Sequence, residues 1–206
     1  MHNYYYIIHK IYIPSTEKIL NILEDGYLCP SSETNESGLY PGGTLRHIYF
    51  SLFGNIKDIN TLAGITLILD PVILYKYPFR YALTWIGNDL NKSIKANPKY
   101  DNINEILQKI NKHIQKNIKE NPNEIGTHEI LLNKKINLHK YLVAICCTKR
   151  LSKEIINYIK KKYPNTMLLD EYPETAQKLN NMIQNYYKYN KYKTKYLNLK
   201  NNLSKI

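Results

Sequence analysis

The chain has 206 residues, of which 43% are hydrophobic and 22% are charged; this is enough apolar material for one compact domain and too much for a disordered chain. No apolar run approaches the roughly 18 residues that span a bilayer, and the first residues do not resemble a secretion signal, so we expect neither a membrane protein nor a secreted one. The formal net charge of +12 rests on 26 Lys and only 3 Arg, and because Arg is favoured for bidentate phosphate and guanine contacts, charge alone does not indicate a nucleic-acid partner.

The first half of the chain predicts three strands, one helix and a long loop. Runs rich in aromatic and β-branched residues predict strands at residues 4–8, 47–52 and 65–69. Pro14 and Ser15 open a helix with a buried stripe at Ile19 and Leu23, and this helix ends at Gly26. Residues 31–44 are polar and contain three glycines, which predicts a long loop of the kind that often binds ligands.

The second half predicts two helices and three more strands. Apolar residues at helical spacing from Ile103 to Ile114 predict an amphipathic helix that stops before Pro122. Ser152 caps a second helix, which Pro164 ends. Strands are expected at residues 129–132, 141–147 and 166–169. The sequence therefore predicts a single α+β domain over residues 1–175, with about six short strands in small mixed sheets and three or four helices.

Residues 176–206 predict a basic helical tail that is separate from the domain. Residues 177–206 contain seven Lys and no Asp or Glu. Seven of eight positions in two seven-residue registers are apolar or aromatic, which is typical of a short coiled-coil seam: Met182, Tyr189, Tyr196 and Leu203, and Asn185, Tyr192, Leu199 and Ile206. We expect removal of residues 177–206 to leave a folded domain. The open interpretations are a homodimer or homotrimer, a targeting or packaging tag, and a helix that binds DNA or RNA through lysines and stacked tyrosines.

Composition and tail together indicate a viral origin. Ile, Asn, Lys and Tyr make up 99 of the 206 residues, a bias typical of AT-rich genomes. Residues 186–200 are similar to the Tyr/Lys-rich terminal segments found on otherwise unrelated proteins of giant DNA viruses of the mimivirus group. This resemblance implies a viral protein of the host cytoplasm, in the viral factory, or of the virion.

The sequence lacks the residue patterns that several common kinds of functional site require. The segment from Thr127 to Leu132 begins like the zinc-protease helix motif but has Leu132 where the second His must stand, so no metal site is expected there. No phosphate-binding loop and no Gly-x-Ser-x-Gly nucleophile turn is present. Three cysteines cannot form a disulfide framework, and they predict buried thiols in a reducing compartment.

The remaining candidates are polar side chains at strand positions. These are His9 after the first strand, His47 and Tyr49 in the second, and Glu129 at the start of an apolar strand. A carboxylate in such a strand is costly to bury unless it is paired or faces a cleft. Each residue taken alone is better explained as a polar group whose hydrogen bonds are satisfied at a strand end.

Taken together and in order, these segments resemble the ADP-ribosyltransferase superfamily, and more narrowly the DarT-type DNA ADP-ribosyltransferases. The resemblance covers about residues 4–170 and rests on Ile8-His9, the helix end at 22–28, Ile48 to Ser51, and His128 to Leu132. His9 is followed by Lys10 and Ile11, where many members carry Gly and then Thr or Ser.

This resemblance implies that NAD is consumed as a sugar donor, with DNA, RNA or a protein as acceptor and without a metal. Glu129 would hydrogen-bond the ribose and stabilise its developing positive charge. Tyr49 would stack on the nicotinamide, His9 would orient the adjoining ribose, and Ser51 would line the pocket. The alternative is a non-catalytic virion or replication-site protein that uses the tail for assembly or nucleic-acid binding.

Overall fold

The computed structural model describes residues 5–11, 16–30, 46–54, 65–84, 86, 89–120, 128–147, 151–170 and 175–203. The predicted loop at 31–44, the helix-opening pair Pro14 and Ser15, and Ile206 of the predicted seam lie outside them. The described strands are β1 (Tyr6–Ile11), β2 (Tyr27–Leu28), β3 (Ile48–Phe53), β4 (Ile65–Leu69), β5 (Phe79–Ala82), β6 (Ile94–Ala96), β7 (Glu129–Leu132), β8 (Ile136–Asn137), β9 (Leu142–Cys147) and β10 (Met167–Leu169). The described α-helices are α1 (Thr16–Asp25), α2 (Ile103–Glu120), α3 (Leu138–Tyr141), α4 (Lys153–Lys162) and α5 (Ala176–Leu203).

Eight of the strands form one sheet in the order β10-β9-β4-β1-β3-β7-β5-β6, and β2 pairs with β8 separately. The described pairings are antiparallel except for β9 with β10. The α+β class is thus confirmed, whereas the prediction of about six strands in small sheets is wrong. The four missed strands, β2, β5, β6 and β8, have two to four residues each, too few to establish an alternating pattern.

The helices predicted from the sequence are present at the expected positions, and the expected cap, end and buried residues are observed. The Oγ of Ser152 accepts a hydrogen bond from the Ile155 N–H at 3.3 Å and caps α4 as expected. Gly26, which follows α1, has a φ of 70°, a left-handed conformation that glycine adopts without strain. In α2, the side chains of Ile103, Ile110 and Ile114 are buried, as their spacing predicts.

Helices α1, α2 and α4 cover one face of the sheet, which we call the back face. This face carries the alternate residues Ile7, Phe50, Leu52, Leu67 and Ile130. They pack in one apolar cluster with α1, α2 and α4 side chains, including Leu23, Ile110 and Ile159. Because strand residues alternate between faces, the intervening residues of β1, β3 and β7 belong to the other face, which we call the front face.

The first turns of α5 pack on the front face and belong to the core. Ala176, Leu179 and Ile183 are buried in one cluster with Ile8, Phe53 and five residues of β4, β9 and β10. The backbone N–H of Ala176 donates to the Gly54 carbonyl at 2.9 Å, which fixes the start of the helix beside the end of β3.

This packing changes two expectations about the tail. The helix itself is confirmed, but its first turns are packed on the sheet rather than separate from the domain. Removal of residues 177–206 would uncover the front-face cluster, so the truncated chain is expected to unfold or aggregate. The seam stays a prediction: Met182, Asn185, Tyr189 and Tyr192 are exposed along α5.

Candidate functional site

Glu129, the first residue of β7, lies half-buried on the front face. It pairs with Ala82 of β5 on one side. On the other side, Phe50 of β3 pairs with Ile130 of β7. The next step of this antiparallel register places Ser51 opposite Glu129. Its Oε2 accepts a hydrogen bond from the Ile86 backbone N–H at 3.3 Å. Burial raises the pKa of the Glu129 carboxyl, and the Ile86 hydrogen bond opposes this effect.

Tyr49 and Ser51 lie on the same face as Glu129. Tyr49 pairs with Leu131 and packs against the small apolar cluster of Ala82, Ile86 and Leu131, while part of its side chain stays exposed. Since Tyr49 is two residues from Ser51 in β3, it is a diagonal cross-strand neighbour of Glu129, at a Cα separation of about 7–8 Å. The structure thus brings together three of the four residues predicted from the sequence.

His9 lies on the back face instead. It pairs with Leu67, and its ring is 5.7 Å from that of Phe50; both of these partners belong to the back-face cluster. Its Nδ1 is 2.9 Å from the backbone carbonyl oxygen of Tyr49, to which it donates a hydrogen bond. His9 is therefore linked to the group through the Tyr49 backbone, across the thickness of the sheet.

The sequence interpretation missed Lys10 and Thr66, which lie next to Tyr49 on the front face. Lys10 pairs with Thr66, and the β1–β3 register, extended from the pair of Ile8 with Ser51, brings Lys10 opposite Tyr49. Thr66 is buried, and burial lowers the pKa of Lys10 to about 8. The sequence did contain a signal for Lys10: it is two residues from Ile8, so alternation along the strand places both side chains on the same face.

His128, directly before Glu129, is buried in the neutral state. Its Nε2 accepts a hydrogen bond from the Leu52 backbone N–H at 2.8 Å, so its proton is on Nδ1. Among the described residues, Nδ1 has no hydrogen-bond partner. Burial lowers the pKa of His128 to about 4.

A loss of stability between pH 6.5 and 4 is expected from His128. Its folded-state pKa is below the unfolded value of 6.5, so the unfolded chain takes up a proton that the folded chain does not. Stability is therefore full above pH 6.5 and decreases by about 3 kcal/mol as the pH falls to 4. Denaturant titrations of wild type and His128→Gln over this range measure the difference. The variant is expected to lose this part of the slope and the exposed control His139→Gln to keep it; equal slopes in all three would contradict the assignment.

The described residues contain no group of three His, Cys, Asp or Glu side chains that could hold a metal ion. Burial raises the pKa of the Cys146 and Cys147 thiols to about 12, so they are unreactive at neutral pH. This confirms the predicted burial of two thiols, whereas Cys29 is half-buried. No helix in the described part of the chain has the length and apolar character needed to cross a bilayer.

Comparison with known proteins gives a family and viral relatives. Residues 1–110 match the family of unknown function DUF5846. An uncharacterized protein of Acanthamoeba polyphaga mimivirus, L54, is 43% identical over 181 residues, which cover 87% of this chain and 98% of the relative. A second uncharacterized protein of the same virus, L28, is 43% identical over 103 residues, which cover 50% of this chain and 99% of the relative. These relatives support the predicted origin in a virus of the mimivirus group.

Among solved structures, the chain is similar to Thermosipho africanus DarTG in complex with ADP-ribose. The identity is 10%, the TM-score is 0.46, and the alignment covers 82% of this chain. The chain spans half the length of that solved chain.

Proposed function

We propose that this chain, which belongs to the DUF5846 family, is an ADP-ribosyltransferase that transfers ADP-ribose from NAD to a nucleic acid or protein. The observation that carries the proposal is the half-buried Glu129 carboxylate on the front face, with Ser51 opposite and Tyr49 diagonal to it. The order of these residues in the sequence, with the family resemblance described above, supports the same reaction.

The reaction needs a carboxylate in such a place. When the bond between the ribose C1′ and the nicotinamide nitrogen breaks, its electron pair leaves with nicotinamide and the ribose becomes an oxocarbenium-like cation. An ionised Glu129 accepts a hydrogen bond from a ribose hydroxyl and stabilises this cation, more strongly in a partly dry site than in water. An acceptor oxygen or nitrogen then attacks C1′ and loses its proton to solvent.

The neighbouring front-face residues fit the parts of NAD. The half-exposed ring of Tyr49 offers a stacking surface for nicotinamide, and Ser51 lies on the same face, opposite Glu129. Lys10 offers a positive charge for the pyrophosphate, and Thr66 lies beside it. On this geometry His9 is a positioning residue, because its hydrogen bond to the Tyr49 carbonyl fixes the backbone that carries the stacking ring.

The proposal is tested by incubating the full chain with NAD, alone and with DNA, RNA or protein acceptors, and measuring nicotinamide by chromatography. We expect release that increases with one acceptor class, together with ADP-ribose on that acceptor by mass spectrometry. No release with any acceptor, combined with no change in melting temperature on NAD addition, would contradict the proposal.

The exposed lysines and tyrosines of α5 favour a second candidate function. In this alternative the protein is a non-catalytic component of the virion or of the viral factory in the host cytoplasm, and α5 serves for assembly or nucleic-acid binding. The two functions differ in Glu129, which only the transferase requires. The alternative would be favoured if neither wild type nor Glu129→Gln releases nicotinamide from NAD and both have the same oligomeric state and nucleic-acid affinity.

A further inference from the structure

One side of α5 presents exposed tyrosines and lysines to solvent. We call Lys188, Tyr189, Lys191 and Tyr192 the Tyr/Lys face. All four side chains are exposed, Tyr189 by 62% and Tyr192 by 69%. The two neighbouring rings, flanked by lysines, offer aromatic surface and positive charge to a ligand, so the face is a candidate interaction surface.

The Tyr/Lys face points away from the domain. The buried stripe of α5 runs through Ala176, Leu179 and Ile183. At about 100° per residue, Tyr192 lies about 180° around the helix from Ile183, and Tyr189 about 120°. The two tyrosines are separated by about 4.5 Å along the helix axis. A ligand can therefore reach both rings without disturbing the packed side.

Charge decides which partner fits this face. Residues 177–206 carry seven Lys and no acidic residue, so they attract a polyanion. A second copy of α5 would bring six more lysines alongside, with no Asp or Glu to form the interhelical ion pairs that coiled coils use. The charge distribution thus favours a polyanion over self-association.

We propose that the Tyr/Lys face of α5 binds single-stranded nucleic acid, with lysines on phosphates and Tyr189 and Tyr192 stacked on bases. Aromatic side chains interleaved with positive charges are the two elements of sequence-tolerant single-strand binding. A duplex keeps its base faces stacked inside, so it satisfies the lysines but not the tyrosines. This surface lies outside the Glu129 site, and the inference is independent of the proposed transferase activity.

The test measures binding of fluorescent single-stranded DNA and RNA oligonucleotides to the full chain over a salt series, by fluorescence anisotropy. The double variant Tyr189→Ala/Tyr192→Ala is expected to bind at least about ten-fold more weakly. Lys188→Gln/Lys191→Gln is expected to reduce the slope of log affinity against log salt by about 1.4, or 0.7 per lost phosphate contact. Comparison of DNA with RNA shows which of the two is preferred.

Matched controls exist elsewhere on the chain. Lys109 and Lys112 are exposed on α2 with the same three-residue spacing, and Tyr100 is 85% exposed in a turn. Lys109→Gln/Lys112→Gln and Tyr100→Ala are expected to bind like wild type. Circular dichroism and melting curves establish that each variant is folded.

Two outcomes would overturn the proposal. The first is that the chain binds heparin, a polyanion without bases, as tightly as oligonucleotides, and that the tyrosine variant binds like wild type. Binding would then be nonspecific charge attraction without base stacking. If sedimentation shows that the tyrosine variant converts an oligomer into a monomer while oligonucleotide affinity is unchanged, the face is an interface between copies of this chain.

Discussion

Nicotinamide release from NAD is expected to fall by about 100- to 1000-fold in Glu129→Gln, the usual effect of removing one electrostatic stabiliser of a transition state. Gln keeps the size of the side chain and its oxygen acceptor for the Ile86 N–H, but it lacks the negative charge that stabilises the ribose cation. The rate constant at saturating NAD, measured by chromatography of nicotinamide, reports the change.

The matched control for this substitution is Glu105→Gln. Glu105 is an exposed carboxylate on α2 that accepts a hydrogen bond from Asn102, and its loss should leave the rate unchanged.

The wild-type rate should also fall on the acid side at a pH above the ordinary carboxyl pKa, because burial raises the pKa of Glu129 and the protonated form lacks charge. Equal rates for both variants and wild type would remove Glu129 from the reaction.

A loss of about 2–5 kcal/mol in the free energy of unfolding is expected for Leu179→Ala. Leu179 is fully buried between α5 and the front face of the sheet, so its truncation leaves a cavity in the core. Met182, on the same helix, is 36% exposed, and Met182→Ala is expected to change stability by less than about 1 kcal/mol. Urea titrations of the three proteins measure both values.

Two truncations extend this test to the whole helix. A chain ending at residue 175 loses every α5 contact with Ile8, Phe53 and Ile68. Because domains are stable by only about 5–15 kcal/mol, we expect it to be unfolded or aggregated. A chain ending at residue 187 keeps Tyr186, whose hydroxyl donates to the Pro164 carbonyl at 3.0 Å, and is expected to fold. Cooperative unfolding of the shorter chain at the wild-type midpoint would show that α5 is dispensable.

Elements with a local cause could be predicted from the sequence. The five apolar residues of β4 (Ile65–Leu69) are all buried, and the spacing of Ile103, Ile110 and Ile114 gave α2 its buried stripe. Strand β5 could not be predicted in this way, because Arg80 interrupts its apolar residues, whereas β7 of the same length carries a continuous apolar run. Arg80 in β5 donates to the Leu90 carbonyl oxygen and to Ser93, contacts that depend on the tertiary fold.

The candidate site depends on register between strands, which one sequence does not contain. Alternation within β1 separates His9 from Lys10, but only the pairing of β1 with β3 shows which of them lies beside Tyr49. The α5 error has a similar origin. Its sequence carries two stripes, one through Leu179 and Ile183 and one through Tyr189 and Tyr192, and the heptad pattern does not tell which stripe packs on the sheet.

The central claim is that NAD binds on the front face at Tyr49, Ser51 and Glu129, and an NMR titration of the isotope-labelled full chain with NAD tests it most directly. The account predicts that amide chemical-shift changes cluster at these three residues and at Lys10, and that the amides of Tyr189 and Tyr192 on α5 do not change. No NAD-dependent change, or changes confined to α5, would contradict it.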